Sequence, residues 1–485
     1  VHFGTFITSH LSRNTDERTT SDDFDYSFYD YSSRSRNDSH ANVNFGISSG
    51  LSLARILLVI LLRVGFVLIH VGSVPVNNVN LILLQNVIDF CWVTIVYFLI
   101  GIVIAYTGDI HGLIGEGYWI VDAIVDKDEA IIGWSAVVIA AAICTSGIVG
   151  RTHTGGYLII GFLLAGLLQP FLIHWIWTPR GWMRTNTLRF RNVEFVDSTG
   201  STIVHLVGGL SGLIGCMTLG RRILRLSAID DASIASGSSA TVFAGQLLVY
   251  VGLQSLAIPN AHAEKLKIAG KTEHNVLLNN LLAASSCSLC VVAFHFMLPR
   301  EEFHHWTVMR CVQATVAGLV IISAGADIYS PQAVIGLSTT GSVIFYLVSG
   351  KVFRSALEDY CNIVAIHLVC AVLGSFLVPL FDIGSGDAEL IMLNFAWHLI
   401  CLLTITASVA LIICVAFVFL NCTGLLRNRS EYLNHLRASM AEGRAPGRAT
   451  FLGRLFGVDR EDPVYLQPGS AYGERKPGTE RTREV

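Results

Sequence analysis

The chain has 485 residues, of which 52% are apolar and only 14% charged, with a net charge of −3. Soluble domains carry about 25% charged residues, so this composition calls for a bilayer rather than a polar surface. The small negative balance gives no basis for a nucleic-acid partner.

Residues 1–50 are polar and rich in Ser, Asp, Asn, Arg and Tyr. Such a segment buries too little surface to offset chain entropy and is expected to be a mobile tail. It has no apolar run, so no cleavable signal peptide is expected there. Asn37-Asp38-Ser39 is a glycosylation sequon, usable only if the tail lies outside the cell. A membrane span needs about 20 apolar residues. Candidates lie near 52–72, 83–106, 132–150, 156–176, 196–218, 234–258, 275–297, 311–326, 331–350, 361–381 and 391–420, eleven in all, with 311–326 the short one. An odd count puts the termini on opposite sides. The final tail carries Arg427, Arg429, Arg437, Arg444, Arg448 and Arg454, which assigns it to the cytoplasm and the first tail to the exterior. The acidic 107–131 loop fits an outer face. The organisation read is an extracellular tail (1–50), a membrane domain (51–424) and a cytoplasmic tail (425–485). In the last, Ser430–Met440 has the pattern of a short helix with Leu433 and Leu436 on one face; the ordinary reading is a solvated tail and the other a segment for a cytoplasmic regulator. The cysteines sit in or beside apolar stretches and are read as small hydrophobes. Cys287-x-x-Cys290 lies inside an apolar run and is a weak redox or metal signal.

The informative signal is a repeat. Asp197-x7-His205 is followed by Leu206-Val207, and Asp359-x7-His367 by Leu368-Val369. The blocks open spans five and ten. Five spans separate them, so the copies enter the membrane in opposite directions. That predicts an all-α protein with a five-plus-five inverted repeat and a peripheral eleventh helix. A lone intramembrane histidine is more often structural. Two at matched positions of an inverted repeat point to a shared site. Asp197 and Asp359, at the span starts, have the ordinary reading of helix caps.

These residues resemble the ammonium transporter family (Amt, with its relatives MEP and Rh). His174-Trp175-Ile176-Trp177 with Gly181-Trp182 is similar to its motif at the outer end of span four. Phe195-Val196-Asp197…Gly200…Val204-His205, Leu219-Gly220-Arg221-Arg222, Ala317-Gly318…Ser330-Pro331 and Asp359…His367…Cys370…Gly374 follow in the family's order. Asn78, Asn86 and Asp89 match span two, with Gln85 in place of a lysine. The resemblance covers roughly 52–425 and implies a homotrimer with one pore per subunit, no cofactor and no enzymatic activity. It implies that His205 and His367 line the pore. Trp177, backed by Asp197, and a span-six hydroxyl would form the outer ammonium site, and two phenylalanines would gate it.

Here the sequence departs from the pattern. Gly133 and Val137 stand at the expected gate positions of span three, Leu256 replaces the second phenylalanine, and Asn260 replaces the serine. Trp134, beside the missing ring, is a candidate substitute. Gln313-Ala314 replaces Asn-Gly, Gly150-Arg151 replaces the Ala-Glu-Arg end, and Asn362, near Asp359, replaces an aspartate. The resemblance therefore implies ammonium or ammonia conduction across a plasma membrane with a weakened outer site. The alternatives are an ammonium sensor signalling through the Arg-rich tail and an Rh-type channel for neutral gas. A metalloenzyme built on the histidines lacks an H-E-x-x-H or a carboxylate triad.

Overall fold

The computed structural model describes residues 39–73, 79–117, 127–220, 238–258, 275–298, 305–355, 357–381 and 387–428. The chain divides into Val1–Gly46 and Ile47–Val485; of the first unit only residues 39–46, the opening of a helix, are described. The Asn37 sequon, Asn78, Asn260 and Ser430–Met440 lie outside the described residues.

In chain order the helices are α1 (Ser39–Ser73, with its apolar stretch at Gly50–Ser73), α2 (Val79–Tyr106), α3 (Lys127–Ser146) and α4 (Thr154–Trp177). They continue with α5 (Ser201–Leu219), α6 (Ser239–Leu256), α7 (Val276–Met297) and α8 (His305–Ile322). The last three are α9 (Pro331–Arg354), α10 (Val364–Phe381) and α11 (Ala388–Thr423). A short hairpin, β1 (Thr185–Leu188) and β2 (Arg191–Glu194), joins α4 to α5. Ten helices among the described residues are long and apolar enough to cross a membrane, so the protein is a multi-pass membrane protein. The other, α8, has an apolar part of only 17 residues, Trp306–Ile322.

The short eighth element begins about six residues earlier than the apolar run suggested. Its first turns are polar, and the apolar residues after Ile322 enter a tight turn in which Gly325 bonds Ile322 and Ile328 bonds Gly325. Hydropathy alone therefore places this span too late. The third helix likewise starts at Lys127 and stops at Ser146, because Gly147–Thr152 turns back on itself.

Burial sorts the helices. The spanning windows of α3 and α5 are 89% buried and that of α11 only 33%. The first two are thus interior, and α11, like α2 and α7 at the same 33%, lies at the periphery, packed on α5 and α10. At 36 residues α11 is about 54 Å long, well beyond the roughly 30 Å of hydrocarbon. Lipid offers no hydrophobic drive between helices, so close packing at small residues holds them together. Gly209 of α5 is the case that matters here, because a Cβ there would lie 2.6 Å from the Leu368 backbone nitrogen of α10.

Gly209→Val should therefore push α5 from α10 and destabilise the purified protein by about 1–3 kcal/mol, read as a thermal unfolding midpoint lowered by several degrees. Gly336→Ala on α9 has nothing within 4 Å and should leave the midpoint unchanged or slightly raised.

Candidate functional site

Each half of the repeat builds the same local device. The Asp197 carboxylate accepts from the backbone N–H groups of Ser201 (2.5 Å), Thr202 (2.9 Å) and Ile203 (3.1 Å), and from the Thr202 hydroxyl. The Asp359 carboxylate accepts from Ile363 N–H (2.9 Å) and Val364 N–H (2.8 Å). A helix leaves its first N–H groups without partners, and a carboxylate satisfies them and complements the helix dipole. Burial pushes the Asp359 carboxyl up to about 6, against the pull of the Val364 and Ile363 amides and the charge of Arg151. Three residues after each aspartate the backbone turns left-handed, at Gly200 (φ 86°) and Asn362 (φ 59°). Glycine and asparagine are the residues that tolerate this region best.

Both helices then open with a wide π-helical stretch, Ser201–Leu206 in α5 and Val364–Val369 in α10. Each stretch carries its histidine. The two rings meet, with His367 Nδ1 and His205 Nδ1 3.1 Å apart, centroids 5.1 Å apart and planes 15° from parallel. Both residues are buried, and Phe66 of α1 leans on His367 at 6.5 Å between centroids. An Nδ1–Nδ1 contact of this length needs one nitrogen to carry hydrogen and the other to accept it, so the two rings differ in tautomer.

The other residues singled out in the sequence fall around this pair. Trp177 ends α4 and donates its indole N–H to the backbone oxygen of Asp197 (2.7 Å). Asp197 thus touches Trp177 through its carbonyl, while its carboxylate faces α5. The rest of that motif holds loops. His174 bonds Ala105 O and Asp109 Oδ1, both at 2.9 Å, and Trp175 donates to Leu113 O. Val137 is fully buried on α3 and Leu256, half-buried, ends α6. Trp134 points to α2, donating to Thr94 Oγ1 (3.0 Å) with its edge against Phe90. A Cβ at Gly133 would lie 2.1 Å from the Tyr97 hydroxyl oxygen, so tyrosines of α2 fill the space beside that glycine. Asn362 donates to Gln313 Oε1 (3.0 Å) and Ser349 Oγ (2.8 Å).

A second buried polar group was missed because counting apolar runs passes over isolated charges. Arg63 of α1 forms an ion pair with Asp89 of α2 at 2.8 Å. One face on, His70 Nε2 meets Ser146 Oγ (2.8 Å), and the Asn86 amide donates to His70 Nδ1 (3.2 Å). Arg55, Arg63 and His70 recur at helical spacing along one span, and intramembrane charge is the signal that would have found them.

Residues 51–438 match the profile of the Ammonium Transporter Family. The chain is 26% identical over 426 residues to ammonium transporter 1 member 3 of Solanum lycopersicum, covering 81% of this chain and 91% of that protein. It is 26% identical over 390 residues to ammonium transporter 1 member 4 of Arabidopsis thaliana, covering 74% and 77%. Among solved structures, a protein titled Sensor Amt Protein superposes with a TM-score of 0.65 at 18% identity, covering 81% of this chain and 97% of that one. Saccharomyces cerevisiae Mep2 superposes at 0.60 with 15% identity, covering 78% and 86%.

If the aspartates organise the site, Asp197→Ala, which orphans three amides and a hydroxyl, should cost about 2 kcal/mol or more of stability. Asp359→Ala, which orphans two amides, should lower the unfolding midpoint by less. The reverse order in a melting experiment would refute this account of the caps.

Proposed function

Because the chain belongs to the ammonium transporter family, whose members are transporters and not enzymes, we propose that it carries ammonium or ammonia across a membrane through a path lined by His205 and His367. The observation that carries this reading is the 3.1 Å contact of two buried histidines at matched positions of the repeat.

The chemistry follows from the tautomers. When the contact nitrogens share one hydrogen, the two Nε2 atoms present one lone pair and one N–H. Ammonia has three N–H groups and one lone pair, so it satisfies both. Ammonium has four N–H groups and no lone pair, and faces an N–H it cannot accept. Carrying the bare cation into low dielectric would cost far more than giving up a proton. The path therefore selects the neutral molecule, and a proton must be left behind or passed along the pair.

At the outer end Trp177 supplies an aromatic face, with Asp197 behind it and Asn260 at the position of the family's serine. Leu256 and Val137 form the constriction, and Trp134, turned toward Thr94 of α2, backs it rather than replacing the missing ring. Asp359 and Asn362 hold the second histidine from the other half of the repeat. A cation–π contact contributes about 0.5–2 kcal/mol, so the loss of two gate rings weakens recruitment by roughly ten- to a hundredfold. The protein works as a homotrimer in the plasma membrane, its first tail outside and its Arg-rich tail in the cytoplasm, where a regulator would bind. A sensor with little flux is the second reading, favoured by the altered mouth.

In liposomes, labelled methylammonium uptake by the wild type should saturate only at high concentration. Trp177→Leu should impair it and Leu256→Phe should improve apparent affinity. High-affinity uptake indifferent to Trp177→Leu would contradict the reading, and ammonium-dependent signalling without uptake would favour the sensor. In intact cells, protease should spare residues 430–485 unless the membrane is opened; cleavage from outside would reverse the topology and the assignment of the mouth.

A further inference from the structure

Arg55 lies on the face of α1 that looks inward. Its stripe runs Arg55, Val59, Leu62, Phe66 and His70, all buried, and Phe66 is the residue that leans on His367. Eleven residues of helix separate Arg55 from Phe66, so its Cα stands about 16 Å nearer the start of α1, the end assigned to the outside. At that level its guanidinium has left the apolar stripe and bridges to α6. Arg55 Nε donates to Ser255 O (2.9 Å) and an Nη to Ile258 O (2.7 Å). These carbonyls flank Leu256, the residue at the second gate position. The carbonyl end of a helix is where a cation is favoured, and here the cation is supplied by the chain itself.

One acid of the 107–131 loop lies beside that charge. Asp128, at the start of α3, is within electrostatic reach of Arg55 and accepts from the Ser52 hydroxyl of α1. Tyr106 lies within reach of both Arg55 and Glu129. Asp128 and Glu129 close the acidic loop that would otherwise draw ammonium to the mouth. With Arg55 beside Asp128, part of that acid's field is spent inside the protein.

We propose that Arg55 is a tethered cation that occupies the carbonyl acceptors beside Leu256 and repels ammonium there, so that neutral ammonia is chiefly admitted and only a small ammonium current remains. The proposal rests on the transport reading above and makes one residue responsible for specificity at the entrance. Ammonium finds a like charge where the carbonyls of α6 would accept its N–H groups. Ammonia, drawn from the equilibrium in the outer solution, meets no such barrier.

The test uses the full chain in liposomes, with two readouts after an ammonium jump: the electrical current, which reports charge movement, and the internal alkalinisation of an enclosed dye, which reports neutral ammonia. Arg55→Met keeps the stem and removes the charge. It should raise the current and lower its half-saturating ammonium concentration roughly tenfold, while Arg55→Lys, which keeps the charge, should gain none of this. Asp128→Asn removes the opposing charge and should move the current the other way. A folded Arg55→Met protein with unchanged current and half-saturation would overturn the proposal. If Arg55→Met does not fold, Arg55→Gln, which keeps N–H donors for the two carbonyls without the charge, decides: a raised current supports the proposal and an unchanged one overturns it. The absence of both current and alkalinisation from the wild type and every variant would overturn the transport reading itself, whereas alkalinisation accompanied by a current indifferent to Arg55 leaves transport standing and removes only this proposal.

Discussion

Two carboxylates bind the free amides at the starts of α5 and α10, and the position of both histidines follows from that bond. A helix begun in a membrane protein's interior has N–H groups that no water satisfies. Asp197 and Asp359 satisfy them, fix where each helix begins and so fix the depth of the histidine eight residues on. The left-handed residue between cap and helix turns the chain inward, and the wide π-helical opening sets the angle at which each ring leaves its helix. Gly209 then lets α5 and α10 approach until the rings touch. Each step is local; the contact between halves 162 residues apart is their sum.

The polar cluster of α1, α2 and α3 follows the same accounting, with Asp89 Oδ1 its one atom left over. His70 has both ring nitrogens engaged, by Ser146 and Asn86, and Asn86 also donates to Ile82 O. Arg63 reaches Asp89 and the Asn86 carbonyl together. This group ties α1 to α2 and α3 beside Phe66, and through Phe66 it stiffens one wall of the histidine pair. Polar groups in lipid are costly when unsatisfied, so a cluster with its members paired is a fixed wall rather than a loose one.

Much of this was legible in the sequence, for identifiable reasons. Spans at least as long as the bilayer is thick announce themselves by apolar content, which is why Val276–Met297 and Ala388–Thr423 differ from their expected bounds by only a few residues. The short α8 does not, because its polar first turns and the turn after Ile322 break the link between hydropathy and helix. The paired Asp-x7-His blocks were readable because a cap and a buried histidine each require a residue type at a fixed distance. The orientation of Trp134 toward Thr94 was not readable, since an aromatic side chain can serve either face of an interior helix. Arg55 and Arg63 were passed over because an average over 20 residues hides a single charge.

The departures from the family's pattern look independent along the chain and are not independent in space. Asn362 and Gln313 replace an aspartate and an asparagine on different helices, yet they bond each other, and Gln313 in turn donates to Cys361 O. A carboxylate at 362 would face the Gln313 carbonyl oxygen, so the neutral amide and the longer partner are one change. Arg151 lacks the glutamate that precedes it in the family and spends its guanidinium on carbonyls instead, of Gly147, Gly220 and Glu358, with Cys216 Sγ beside it. Gln85, in place of a lysine, donates to Thr152 O and so ties α2 to the same turn. On the helices that carry the histidines and the turns that join them, each altered polar group has found a new partner, and the device that places the pair is intact. Around Gly133 and Leu256 the pattern is different: no ring stands at either position, tyrosines of α2 cover Gly133, and Arg55 holds the carbonyls on either side of Leu256. There the altered positions are filled from α1 and α2 rather than re-paired, so the two groups of departures answer different constraints: a buried polar group needs a partner, and a vacated apolar volume needs filling.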